Sequence, residues 1–241
     1  MGSDTDHLRI EGLIQRQMHE WDLKRRLADE GSEAARREFA HLPEGPWISF
    51  SKQLGSDANR IAEILGKKLG WQIYDKEIVE AIARETHSRD RLLSRLDEKA
   101  VGRFEELLNV LLVPDHLDQL TYLKEMGKVI WALARHGSVI LLGRGANWFL
   151  DSRYGLRIRA IASFDNRTRR IAERDGIGAK EAERKVRAAD AGRAAFIRQV
   201  YHRDIDDPLG YDLVVNTDLL GATSAAEAVH AALLTKVLTP R

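Results

Sequence analysis

Val139-Ile-Leu-Leu142 is an unbroken apolar run closed by Gly143, and it constrains the fold more than any other stretch of this chain. A strand with one wet face alternates apolar and polar side chains, whereas a run without alternation is buried on both faces. Such strands belong to parallel sheets covered by helices. The remaining pattern agrees: residues 47–51, 71–74, 157–162 and 211–216 read as further short strands. Helical periodicity fills residues 58–69, 76–136, 165–175, 178–203 and 223–238, with breaks near Ser88 and at residues 113–115. Strands alternating with helices predict an α/β fold, a five-stranded parallel sheet flanked by helices.

Residues 8–40 stand apart as a charged helical arm, with Ile10, Leu13, Ile14, Met18 and Trp21 on one stripe. The Pro- and Gly-containing stretch 41–46 reads as a linker. The expected division is an N-terminal arm and linker over residues 1–45 and an α/β domain over 46–241. An apolar stripe needs a surface to cover, either the body of the chain or a second copy in a homodimer.

Composition narrows the function. The chain has 241 residues and no cysteine, which excludes disulfides, thiolate metal sites and a cysteine nucleophile, and suits a reducing, cytoplasmic setting. No apolar run approaches the length of a membrane span, and residues 1–10 lack the order of a secretory signal. The net charge is only +1, but residues 151–203 hold 14 Lys/Arg against 7 Asp/Glu, while residues 1–45 hold 7 against 10. A basic segment in a near-neutral chain predicts an anionic partner, a nucleotide or, as a weaker reading, nucleic acid; a solvated helical face explains it equally well. The eight histidines show neither the H-x-x-x-H nor the H-E-x-x-H spacing, so no histidine metal site is expected.

In open parallel sheets ligands bind beyond the C-terminal ends of the strands. That points to residues 51–59, 74–77, 143–147 and the basic helices after the fourth strand. Strand, glycine turn and helix can cradle a phosphate on free N–H groups at the helix N-terminus. Here that segment is Ser51-Lys-Gln-Leu-Gly-Ser-Asp-Ala-Asn-Arg60. Against the pattern G-x-x-x-x-G-K-[ST], Lys52 falls at the first glycine, and Asp57, Ala58 and Asn59 replace the second glycine, lysine and hydroxyl residue. A tight turn followed by a helix capped by Ser56 or Asp57 is the plainer reading of the same residues.

These segments together resemble the cytidylate kinase-like family. The resemblance rests on Ile48 to Ser56 with Ile61-Ala62, Tyr74-Asp-Lys-Glu-Ile78, Gly143-Arg-Gly-Ala-Asn147 after its apolar strand, Asp190 with Arg193, and Tyr211-Asp-Leu-Val-Val-Asn-Thr217. It implies the architecture of the P-loop nucleoside monophosphate kinases, with transfer of phosphate from ATP, with Mg2+, to a pyrimidine monophosphate such as CMP. Carried over, Arg144 would grip the acceptor phosphate, Arg193 would neutralise the moving phosphate, and Asp190 would position Arg193. Lys52 stands at the family's loop arginine. Gly55, Ser56, Asn59 and Arg60 would form the donor loop, and Asp75 and Arg187 would contact the acceptor; Asp75 reads equally well as the cap of the helix that follows it. Both loop glycines that follow Ser56 in the family are absent, at Asp57 and Ala58. A second expectation therefore stands beside the first: a kinase-fold protein that binds a nucleotide or regulates without catalysing transfer.

Overall fold

The computed structural model describes residues 2–30, 45–94, 96–112 and 117–238. Five strands form one parallel sheet: β1 (Trp47–Lys52), β2 (Gln72–Tyr74), β3 (Val139–Leu142), β4 (Gly155–Ile161) and β5 (Leu213–Asn216), in the order β2-β3-β1-β4-β5. Strand β1 is central, with Trp47 in register with Val139 on one side and Gly155 on the other. A Cβ on Gly155 would lie 2.0 Å from the Trp47 ring, so the close approach requires glycine there.

Successive strand residues face opposite sides and feed two cores. Ile48, Phe50, Ile140, Leu142, Leu156 and Ile158 pack with Ile61 and Leu65 of α2 (Ala58–Leu69) and with Ala225 and Val229 of α9 (Thr217–Leu233). Trp47, Val139 and Leu141 face the other way. They pack with α3 (Lys76–Arg84), α4 (Thr86–Leu93), α5 (Glu98–Leu111) and α6 (Leu117–His136). Each fully buried Ile or Leu in these layers stabilises the fold by about 1.5–3 kcal/mol. Helices α7 (Phe164–Asp175) and α8 (Ala179–Tyr201) lie between β4 and β5 in the chain and carry most of the basic segment.

The arm is a helix, α1 (Gly2–Glu30), and its stripe covers the body of its own chain. Leu13 and Ile14 are buried in the core that α3 to α6 form. Buried Gln17 donates from Nε2 to the Gly137 carbonyl at 2.8 Å and accepts from the Tyr74 hydroxyl at 3.2 Å. Trp21 stacks on His136 with ring centroids 5.1 Å apart. The expected linker, save Gly45 and Pro46, and the expected break at 113–115 lie outside the described residues. The break expected near Ser88 falls at Glu85, whose carboxylate accepts from the Ser88 amide and starts α4.

Several boundaries move. Strand β4 begins at Gly155 rather than 157, β5 at Leu213 rather than 211, and α9 at Thr217 rather than 223. The last shift has a local cause: Asn216 accepts from the Asp218 amide and caps α9 early, although Gly221 leaves helical geometry inside it. No helix among the described residues is long and apolar enough to cross a membrane.

Candidate functional site

The strand order reverses about β1, and the loops after β1 and β3 open into a crevice at the strands' C-terminal ends. The β1 loop turns at Gly55, with φ 83°. A Cβ there would lie 2.7 Å from the Arg167 carbonyl oxygen, so α7 closes on this loop only over glycine. The buried Ser56 hydroxyl donates to the Gln53 carbonyl at 2.8 Å and tightens the turn.

Asp57 holds the position before α2 in a left-handed conformation, φ 54°. Neither expected side-chain cap forms. Ser56 turns back to Gln53, and the Asp57 carboxylate points to Arg170, Oδ2 to Nη1 3.3 Å. The same Arg170 Nη1 donates to the Gly55 carbonyl at 3.1 Å and the Thr217 hydroxyl at 3.0 Å. Arg167 donates to the carbonyls of Ala162 and Leu54 and pairs with Asp190. Asp190 in turn accepts from the Leu54 amide at 3.0 Å and meets Arg193 at 3.3 Å. The β1 loop is thereby stapled to α7 and α8 by side chains that meet only in the fold.

The β3 loop is built on three consecutive left-handed residues, Gly143 (φ 87°), Arg144 (φ 59°) and Gly145 (φ 69°). The Tyr201 hydroxyl donates to the Arg144 carbonyl at 2.9 Å, and a Cβ on Gly145 would lie 2.3 Å from the Tyr201 ring. The Arg144 guanidinium pairs with Glu80 of α3 and lies 5.2 Å from the centroid of Phe196 in α8. Burial lowers the Arg144 pKa, although Tyr201 and Glu77 pull it back.

Two cavities flank the end of β1. One, of about 450 Å³, is lined by residues 52–60 of the β1 loop, Glu63, Ile171 and the cations Arg170, Arg174 and Arg193. The other, of about 530 Å³, has Arg144, Asn147, Lys76 and Glu77 as polar lining and Leu142, Phe196 and Ile205 among its apolar walls. Lys52 and Arg193 line both. The Lys52 ammonium donates to Asn59 Oδ1 at 2.5 Å. Its pKa is lowered, first by burial and then by Arg193, with Asp75 and Glu77 opposing. Two clefts that share Lys52 and Arg193 can set two anions against the same pair of cations.

The sequence-selected residues divide accordingly. Lys52, Gly55, Ser56, Asn59, Arg60 and Arg193 line the β1-loop cavity, Arg144 lines the other, and Asp190 anchors the pair from α8. Asp75 accepts from the Ile78 amide at 2.9 Å as the cap of α3. Arg187 lines neither cavity; it is exposed, with its guanidinium 4.2 Å from the Phe164 ring centroid. Glu80, Arg167, Arg170 and Phe196 escaped the sequence reading. Only the two arginines had any signal there, as part of the basic segment.

Residues 47–219 match the cytidylate kinase-like family. The cytidylate kinase of Ignicoccus hospitalis is 30% identical over 101 residues, 42% of this chain and 59% of that protein. That of Methanothrix thermoacetophila is 36% identical over 105 residues, 42% of this chain and 60% of its own length. The alignments thus span less than two thirds of these curated relatives. An uncharacterized protein from Eubacterium ventriosum has a similar solved structure, with a TM-score of 0.63 and 19% identity over 78% of this chain and 98% of that one; this likeness shows the fold.

Proposed function

Because the chain belongs to the cytidylate kinase-like family, we propose that it transfers phosphate from ATP to a pyrimidine nucleoside monophosphate such as CMP. The observation that carries the reading is the pair of cavities joined at Lys52 and Arg193. Phosphate transfer is mainly positioning plus neutralisation of charge, so cations shared by donor and acceptor clefts suit it. The β1-loop cavity would take the donor, with Arg60, Arg170 and Arg174 around its phosphates. The β3-loop cavity would take the acceptor. Arg144 offers the acceptor phosphate a planar fork of donors, and Glu80 holds that fork in place until the phosphate arrives. Asp190 orients Arg193 toward the junction.

The fit to ATP phosphates is good in charge, with five cations lining the donor cleft. For Mg2+ the described residues offer no cluster of three acidic or imidazole ligands. The nucleotide's own phosphates would supply most of its ligands, and the ion would screen phosphate charge there. A coupled assay with ATP, Mg2+ and each of CMP, dCMP and UMP tests the reading. Turnover with at least one acceptor is expected, and none above background would overturn it.

A second reading, a nucleotide-binding regulator without transfer, is favoured by Asp57, whose carboxylate sits at the head of α2 where a phosphate would be cradled. It predicts no magnesium-dependent affinity for ATP. Micromolar binding of ATP with Mg2+ in calorimetry would count against it.

A further inference from the structure

Arg159 lies in β4 opposite Ser51, the residue before Lys52, and only 5% of it is exposed. A guanidinium inside a sheet is expensive to desolvate, and an apolar side chain at such a site is often neutral or stabilising. Its ion-pair partner is at the surface: Nη2 reaches Asp206 Oδ1 at 2.6 Å, and the Asp206 side chain is 68% exposed. Exposed partners return little stability, so the bridge alone does not explain a buried charge.

The other contacts form a chain with one possible direction. Arg159 Nη1 lies 2.9 Å from Ser51 Oγ, Ser51 Oγ 3.1 Å from the Tyr211 hydroxyl, and that hydroxyl 2.7 Å from the Ile205 carbonyl. A guanidinium can only donate and a carbonyl can only accept. Each hydroxyl between them therefore accepts from the Arg159 side and donates toward Ile205. Bonds aligned in this way polarise one another and hold a single geometry. The chain joins β4, β1 and the segment by which α8 returns to β5. Ser51 and Ile205 line the acceptor cleft, and α8 carries Asp190 and Arg193.

We propose that Arg159 is a positioning residue: through Ser51 and Tyr211 on one arm and Asp206 on the other, it clamps the return of α8 to the sheet. The clamp sets where Arg193 stands relative to Lys52, without itself lining either cavity. The kinetic half of this inference rests on the phosphate-transfer reading; the clamp itself does not. Arg159→Met fills the site without the charge, and Tyr211→Phe cuts the chain while leaving the ion pair. Arg159→Lys restores one charge but not the fork.

The first experiment is hydrogen–deuterium exchange on the full chain without nucleotide, with thermal melts alongside. Residues 204–212 should exchange faster in Arg159→Met and in Tyr211→Phe, with melting temperatures close to the parent. Unchanged exchange in both would overturn the clamp. If Arg159→Met fails to fold, Tyr211→Phe and Asp206→Asn make the same decision. In an enzyme that turns over, Arg159→Met should lower kcat roughly 10- to 100-fold. Both KM values should stay within about threefold, with partial recovery in Arg159→Lys. Loss confined to KM, or equal loss in the Lys and Met variants, would overturn the positioning role. A parent without turnover for any acceptor would sink the transfer reading and leave the clamp to the exchange result.

Discussion

The loops after β1 and β3 face the same crevice and carry left-handed residues, yet they hold that geometry in different ways. At β3 the left-handed residues are Gly143, Arg144 and Gly145, and Tyr201 seals the turn from below through the Arg144 carbonyl. At β1 they are Gly55 and Asp57, and the seal comes from Arg167 and Arg170 of α7. A non-glycine residue in this region carries about 1–2 kcal/mol of strain, less for Asp. At β3 the strained residue presents a cation to the cleft; at β1 it presents a carboxylate, with Arg170 as its counter-ion. The β3-loop cleft thus gains a cation whose counter-ion, Glu80, comes from a neighbouring helix, while the β1-loop cleft keeps a carboxylate at the head of α2 itself.

The largest effects should come from filling the glycines that the neighbours press on. Gly145→Ala would combine φ 69° with a Cβ 2.3 Å from the Tyr201 ring, and Gly55→Ala φ 83° with one 2.7 Å from the Arg167 carbonyl. Each should destabilise the protein by about 2–4 kcal/mol in urea unfolding. Gly143→Ala meets no atom within 4 Å and should lose only about 1 kcal/mol of backbone energy. Equal losses at Gly143 and Gly145 would show that Tyr201 does not seal the β3 turn.

Next comes charge. Arg144→Met should weaken CMP binding by about 1.5–3 kcal/mol, the worth of charge-assisted hydrogen bonds to a phosphate. Asp57→Asn should leave CMP affinity unchanged, and the comparison breaks if calorimetry finds both substitutions equal. On the donor side, Asp57→Asn should tighten ATP with Mg2+ by about 1 kcal/mol through lost repulsion. Asp57→Gly should add relief of the left-handed strain, visible as stability rather than affinity. A donor site that weakens in both variants would mean that the Asp57–Arg170 pair shapes the cleft instead of blocking it.

The same contrast explains how much the sequence alone could disclose. The central strands were legible because β3 lacks alternation and β1 precedes a glycine turn. The stripe on α1 was legible because Ile10, Leu13, Ile14, Met18 and Trp21 recur at helical spacing; the buried Gln17 beside it was not. The Asp75 cap was legible because its partner, the Ile78 amide, is local. Asp57 defeated the same reasoning, since its carboxylate answers to Arg170, far along the chain. Glu80 carried no signal because Arg144 reaches it only once α3 and the β3 loop are adjacent. Alternation along β4 sets Leu156, Ile158 and Ala160 on one face and Arg157 and Arg159 on the other. That face is closed at Arg159 by the segment around Ile205 and Tyr211, which periodicity within β4 cannot reveal.

The smallest expected effect tests the one lysine that both cavities share. Burial, and then the Arg193 charge, lower the Lys52 pKa, while Asp75 and Glu77 oppose the shift. With the folded pKa below the unfolded one, the unfolded chain binds more protons in the window between them. Stability therefore rises with pH across that window, and Lys52→Met should flatten the rise. In the transfer proposed above the ammonium form is the one that serves, so activity should move the opposite way. The alkaline limb of kcat/KM should fall at lower pH than an ordinary lysine allows. In kcat the limb should lie higher, since bound phosphates favour the charged form. Lys52→Arg keeps its charge throughout and should carry the limb upward in both profiles. If the kcat/KM limb stays in place in Lys52→Arg, the titrating group lies elsewhere, and Arg193 remains as the cation that joins the two clefts.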